Sequence, residues 1–109
     1  MLAQVRAFLE AHGESRCTRW DAPEDGQRTS NRVGYRRTGA DGPTHYVEVG
    51  AFRDEVCRGF DSRAVAKVLA DAGALETGGD GRDTRKMLLP DGRRARVYVI
   101  LPSLWGAEP

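Results

Sequence analysis

The sequence predicts an α+β fold, on three observations. Apolar residues recur at helical spacing at the start of the chain and again through its middle. Short segments of β-forming residues lie between those stretches, and a late run alternates apolar and polar residues beside a Pro-Asp-Gly turn. With 109 residues, 39% apolar and 30% charged, the chain fits one domain spanning 1–109. A chain of that length buries roughly two thirds of its unfolded surface around a single core.

The first element is an amphipathic helix from Leu2 to His12. Leu2, Val5, Phe8 and Leu9 share one side, Gln4, Arg6 and Glu10 the other, and Gly13 closes it. Between residues 16 and 49, RCTRW, RVGYRRT and THYVEV read as three short strands separated by the turn-rich stretches DAPEDGQRTSN and GADGP. Ala51 to Arg58 is a second helix, with Asp54 and Glu55 early, where the helix dipole favours negative charge, and Gly59 after its end. Asp61 caps a third helix, and Phe60 before the cap is placed to staple onto Val65. Val65, Val68, Leu69 and Ala72 form its apolar stripe, and Gly73 terminates it. Two helices joined by RGFD have the sequence form of a helix-turn-helix. After a loop at residues 77–83, RKMLLPDGRRARVYVIL forms two strands around Pro90, Asp91 and Gly92. Ala95, Val97 and Val99 fall on one face of the second strand, and Arg94, Arg96 and Tyr98 on the other. The order is that of a winged helix: three helices, a C-terminal hairpin wing, and extra strands between the first and second helices. Phe8, Phe60, Val65, Val68, Leu69, Val97 and Val99 are expected to share one core.

The composition narrows the function classes. No apolar run reaches the roughly 20 residues that cross a bilayer, and the charged start lacks a secretory centre, so a cytoplasmic protein without a membrane partner is expected. Cys17 and Cys57 have no paired spacing, which predicts reduced thiols. His12, Cys17, His45 and Cys57 are the soft ligands and form no metal-binding motif. The glycines of ETGGDGRD lack the lysine and the strand-to-helix setting of a phosphate loop. No nucleophile elbow and no serine or cysteine with a histidine partner stands out, so binding without cofactor or catalysis is expected.

The formal net charge is only +1, so a polyanion partner has to be argued from where the charges sit. Arg63 and Lys67 lie opposite the apolar stripe of the third helix and bracket one exposed side. Arg85, Lys86, Arg93, Arg94 and Arg96 crowd the hairpin against the single acid Asp91. Together these seven residues are the candidate DNA-binding set, the helix for a major groove and the wing for backbone or minor groove. The same residues also fit a solvated helix face and a hairpin charged against edge association. A second group, Arg28, Arg32, Arg36 and Arg37 around Tyr35, offers a stacking surface, or simply a strand tyrosine that is half buried. The alternative to DNA is a protein-docking or dimerisation module using Tyr98, Ile100 and Trp105.

FRDEVCRGFDSRAVAKVLADAGAL followed by TRKMLLPDGRRARVYVI resembles the C-terminal segment of primase-helicase proteins of phages, plasmids and integrative elements. FLEAHGESR and NRVGYRR resemble parts upstream in the same segment, so the similarity runs from about Arg6 to Ile100. The resemblance implies an origin-binding winged helix that follows an ATPase or helicase core, with the helix from Asp61 as recognition element and Arg93 and Arg94 at the wing tip. It further implies that this chain is an excised domain of a larger replication protein, the nucleotide chemistry belonging to the core.

Overall fold

A five-stranded sheet in the order β1-β2-β3-β5-β4 organises the molecule. In the computed structural model, residues 2–13, 16–20, 32–77 and 82–106 are described. The elements are α1 (Leu2–His12), β1 (Cys17–Arg19), β2 (Gly34–Gly39), β3 (Gly42–Glu48), α2 (Val49–Ala51), α3 (Ser62–Asp71), β4 (Arg85–Leu88) and β5 (Arg94–Ile100). A π-helical turn, Phe52–Val56, continues α2, and a 3-10 helix, Pro102–Gly106, follows β5. Residues 21–31, with Arg28, and residues 78–81 lie outside the described residues. No described helix is long and apolar enough to cross a membrane.

The fold is α+β, as the periodicity predicts, but its sheet is larger than a simple wing. β5 pairs antiparallel with β3 as well as with β4, so the C-terminal hairpin is built into the sheet. The reason lies in Val97, Tyr98, Val99 and Ile100, all buried. An alternating strand leaves one face in water, whereas four consecutive apolar residues have to be covered on both sides. β1 pairs parallel with β2, and the other pairings are antiparallel.

Both faces of the sheet carry a core, which corrects the expectation of a single one. The helix-side cluster joins Leu2, Val5 and Leu9 of α1, Val65, Ala66 and Leu69 of α3, and Val47, Tyr98 and Ile100 of the sheet. Phe8 and Val68 pack against it partly buried. Val97 and Val99 point the other way, into a cluster with Tyr35, Tyr46 and Leu89 against which Trp20 and Met87 pack. The two valines are paired with Glu48 and Tyr46, while the intervening Tyr98 is paired with Val47, so strand parity alone sends them to opposite faces. Phe60, expected as a staple, is 47% exposed. The turn carries the chain inward at Cys57, which is fully buried, and outward at Phe60 after the left-handed Gly59, whose φ is +87°.

The second helix also departs from the expected Ala51–Arg58. It starts at Val49 and widens into the π turn, closed by the Cys57 amide donating to the Phe52 carbonyl at 2.8 Å. The widened turn leaves Phe52, Val56 and Cys57 all buried, with the Phe52 ring stacked on Tyr98 at 4.0 Å between centroids. Gln4 Nε2 donates to the Val56 carbonyl at 2.7 Å and the Arg58 carbonyl at 3.2 Å, satisfying acceptors that the end of a helix leaves open. Asp61 caps α3 as expected, accepting from the Arg63 amide at 3.3 Å, and Gly73 leaves it with φ +73°.

Candidate functional site

Strand parity sorts the seven candidate cations into two groups. On β4 and β5, Lys86 is the cross-strand partner of Arg96, and Leu88 that of Arg94. These four share the face of Tyr98 and Ile100, which is the face the helices cover. The helical layer does not reach them, since Lys86, Leu88, Arg94 and Arg96 are all exposed. Arg63 and Lys67 are exposed on α3, one helical turn apart. Arg63 is near enough to Tyr98 to act on its hydroxyl. Burial first, then Cys57 and Asp83, raise the Tyr98 pKa, and Arg63 opposes them. Among the described residues, Arg63, Lys67, Lys86, Arg94 and Arg96 form no salt bridge; Arg96 donates to Thr84 Oγ1 at 3.2 Å.

The other two cations are committed to carboxylates. Arg85, paired across from Val97 and so on the opposite face, bridges Glu76 at 2.9 Å. Arg93 bonds Asp91 through Nε at 2.6 Å and approaches Glu48 at 3.3 Å. Those contacts stitch the hairpin tip to β3 and raise the Arg93 pKa, the hydrogen bond to Asp91 first and the one to Glu48 next. The tip is a three-residue loop: the Gly92 amide donates to the Leu89 carbonyl at 2.9 Å, and the Leu89 amide to the Arg93 carbonyl at 2.8 Å. Gly92 takes φ +90°, the left-handed position of a type I turn with a glycine bulge. Leu89 is thereby buried against the second cluster. The signal for this was present in Asp91-x-Arg93, a turn acid two residues before its arginine, and in Glu48 at the matching end of β3.

Tyr35, Arg32 and Arg37 form a structural cluster rather than an open stacking surface. Tyr35 is fully buried, and its hydroxyl accepts from Arg32 Nη1 at 2.7 Å. Arg37 stacks over Trp20 at 4.6 Å, and Trp20 lies 4.6 Å from Tyr46, so these rings close the second core. Arg36 points to the helix side, across from His45. The docking alternative loses two of its three residues, because Tyr98 and Ile100 are buried in the core, while Trp105 is 41% exposed.

For metals, no group of three or more His, Cys, Asp or Glu side chains converges among the described residues. Cys17 and Cys57 are free and buried. Burial pushes the Cys17 thiol up to about 11, against the opposing pull of Arg36 and Arg16. It pushes Cys57 up to about 12, with Asp61 adding to the effect. Neither sulfur is poised as a thiolate nucleophile. No protein-family model matches the chain, and no curated protein or solved structure shows significant similarity to it.

Proposed function

We propose that this chain is a winged-helix-like DNA-binding module of a mobile-element replication protein of the primase-helicase kind, working beside an ATPase core in the cytoplasm. The observation that carries the reading is a set of exposed cations that form no salt bridge among the described residues, Arg63 and Lys67 on α3 with Lys86, Arg94 and Arg96 on the hairpin. Cations held apart from acids remain available to phosphates, and each phosphate they neutralise releases counterions. α3 supplies a rigid, capped helix for a major groove, and the uncovered end of β4 and β5 supplies the wing. Arg85 and Arg93, which already pair with carboxylates, are given the smaller part in this reading.

The test is a fluorescence-anisotropy titration of labelled duplex, single-stranded and forked DNA at two salt concentrations. Binding to duplex that weakens steeply with salt is expected. Replacing Lys86, Arg94 and Arg96 together should weaken all sequences alike and flatten the salt dependence, by up to about 0.9 log-log units per lost phosphate contact. Replacing Arg93 should change DNA affinity little. No binding at low salt refutes the reading; association with a helicase core that depends on Trp105 would then identify a docking module.

A further inference from the structure

A second concave site lies over the other half of the sheet, away from those cations. It is a cleft of about 540 Å³ between the end of α1, strands β2 and β3, and the 3-10 helix. That size falls within the range of small-molecule sites, and such sites combine apolar walls with a few fixed polar groups. The walls are Leu9, Ala11, Pro43 and the half-exposed Trp105. Arg36, His45 and Thr38 supply the polar groups of the floor, with Glu10 exposed at the rim.

Arg36 is the unusual member. Its Nε is buried and has no hydrogen-bond partner, and no carboxylate forms an ion pair with it among the described residues. A buried donor left unpaired costs about 1–3 kcal/mol, and more when charged, so a native structure keeps one where something else satisfies it. Its neighbours do not. The cross-strand partner on β1 is Arg19, a like charge, and the one on β3 is His45. His45 is itself buried and held neutral, its pKa lowered to about 4 by burial first and by Arg36 second. The floor thus holds a guanidinium that forms no ion pair among the described residues, beside a neutral imidazole. Gly13 keeps the end of α1 pressed onto it: a Cβ there would meet the Leu9 carbonyl oxygen at 2.4 Å and His45 Nε2 at 3.0 Å.

We propose that this cleft binds a small monocarboxylate with a planar apolar body, its carboxylate on Arg36 and its ring against Trp105. A carboxylate accepts two parallel N–H bonds from a guanidinium. The C-terminal end of α1 and the Glu10 carboxylate both carry negative character at the rim, which disfavours a dianion such as a phosphate monoester.

The experiment uses the full chain, labelled with ¹⁵N, titrated separately with benzoate, phenyl phosphate and benzyl alcohol as probes. Benzoate is expected to shift the Trp105 indole signal and the amides of Gly13, Thr38 and His45 with one saturation curve, leaving the Trp20 indole in place. Phenyl phosphate should bind at least several-fold more weakly, and benzyl alcohol not measurably. Arg36→Gln should weaken benzoate tenfold or more with the Trp20 signal unmoved. If Arg36→Gln unfolds the chain, Thr38→Trp, which fills the cleft from an exposed strand position, should abolish the same shifts. The proposal is overturned by unsaturable or absent shifts with benzoate, by tighter binding of phenyl phosphate, or by benzoate affinity that survives both substitutions.

Discussion

His45 should make the stability of this protein fall between neutral pH and pH 5 by an amount the structure sets. The imidazole is 4% exposed on the helix side of β3, with Arg36 beside it on β2 and Ile100 across from it on β5. Burial first, and Arg36 second, lower its pKa from 6.5 to about 4. The unfolded chain takes up a proton on this residue near pH 6.5, whereas the native one resists until about 4. Between those values the unfolded state binds more protons, so native stability is full above 6.5 and drains away as the pH falls. At about 1.4 kcal/mol per pH unit, the complete loss is roughly 3 kcal/mol, of which about 2 kcal/mol falls between pH 7 and pH 5. Urea denaturation of the wild-type chain and of His45→Gln at both pH values isolates this contribution. Other titrating groups are common to the two proteins and cancel in the difference. The wild type should lose about 2 kcal/mol more than the variant on going from pH 7 to pH 5. Equal losses would refute the placement of a neutral His45 in the cleft floor.

Three further outcomes follow from packing. Leu69→Ala should cost about 2–5 kcal/mol in chemical denaturation, because the side chain is fully buried in the helix-side core, whereas Phe60→Ala should cost well under half of that. Gly34→Ala should destabilise by about 3 kcal/mol or more, or prevent folding, because its Cβ would stand 1.9 Å from the Tyr46 carbonyl oxygen across the β2–β3 pairing; a cooperative, wild-type-like urea transition would contradict that. Both cysteines should resist a thiol reagent at pH 8 in the native protein and react in full in denaturant, since both are buried and burial holds both thiols protonated; prompt native labelling would show an opening that the fold does not predict.

Local signals were legible where one residue decides the geometry. Asp61, Gly73, Gly92 and the alternation of Ala95, Val97 and Val99 are each readable from chemistry and spacing, and each sits as that chemistry requires. What spacing could not supply was the partner of each strand. The hairpin looked like a free wing because Tyr98 was grouped with Arg94 and Arg96; the same parity that unites them also runs from water into the core along one strand. Whether an arginine is free or neutralised depends likewise on a residue far away in sequence. Glu48 reaches Arg93 only because β3 and β5 are neighbours. The cleft at Arg36 is assembled from α1, β2, β3 and the last helical turn, so no local motif could have announced it.

Lys86 and Arg96, exposed on the helix-side face, allow edge protection to be tested against the proposed DNA contact. Edge strands are protected from association by charged side chains, lysine above all. Here Lys86 stands directly across from Arg96, on the pair of strands that ends the sheet. Like charges placed directly opposite each other across two strands are destabilising. Protection of the edge does not require that cost, since a glutamate at position 86 would blunt β4 and also pair with Arg96. A uniform sign is useful where the surface meets an anion. Lys86→Glu should therefore raise stability in urea denaturation by a few tenths of a kcal/mol or more while weakening duplex DNA severalfold at low salt. If the substitution stabilises the protein and DNA affinity stays unchanged, Lys86 is edge protection alone and the hairpin has to be removed from the binding surface.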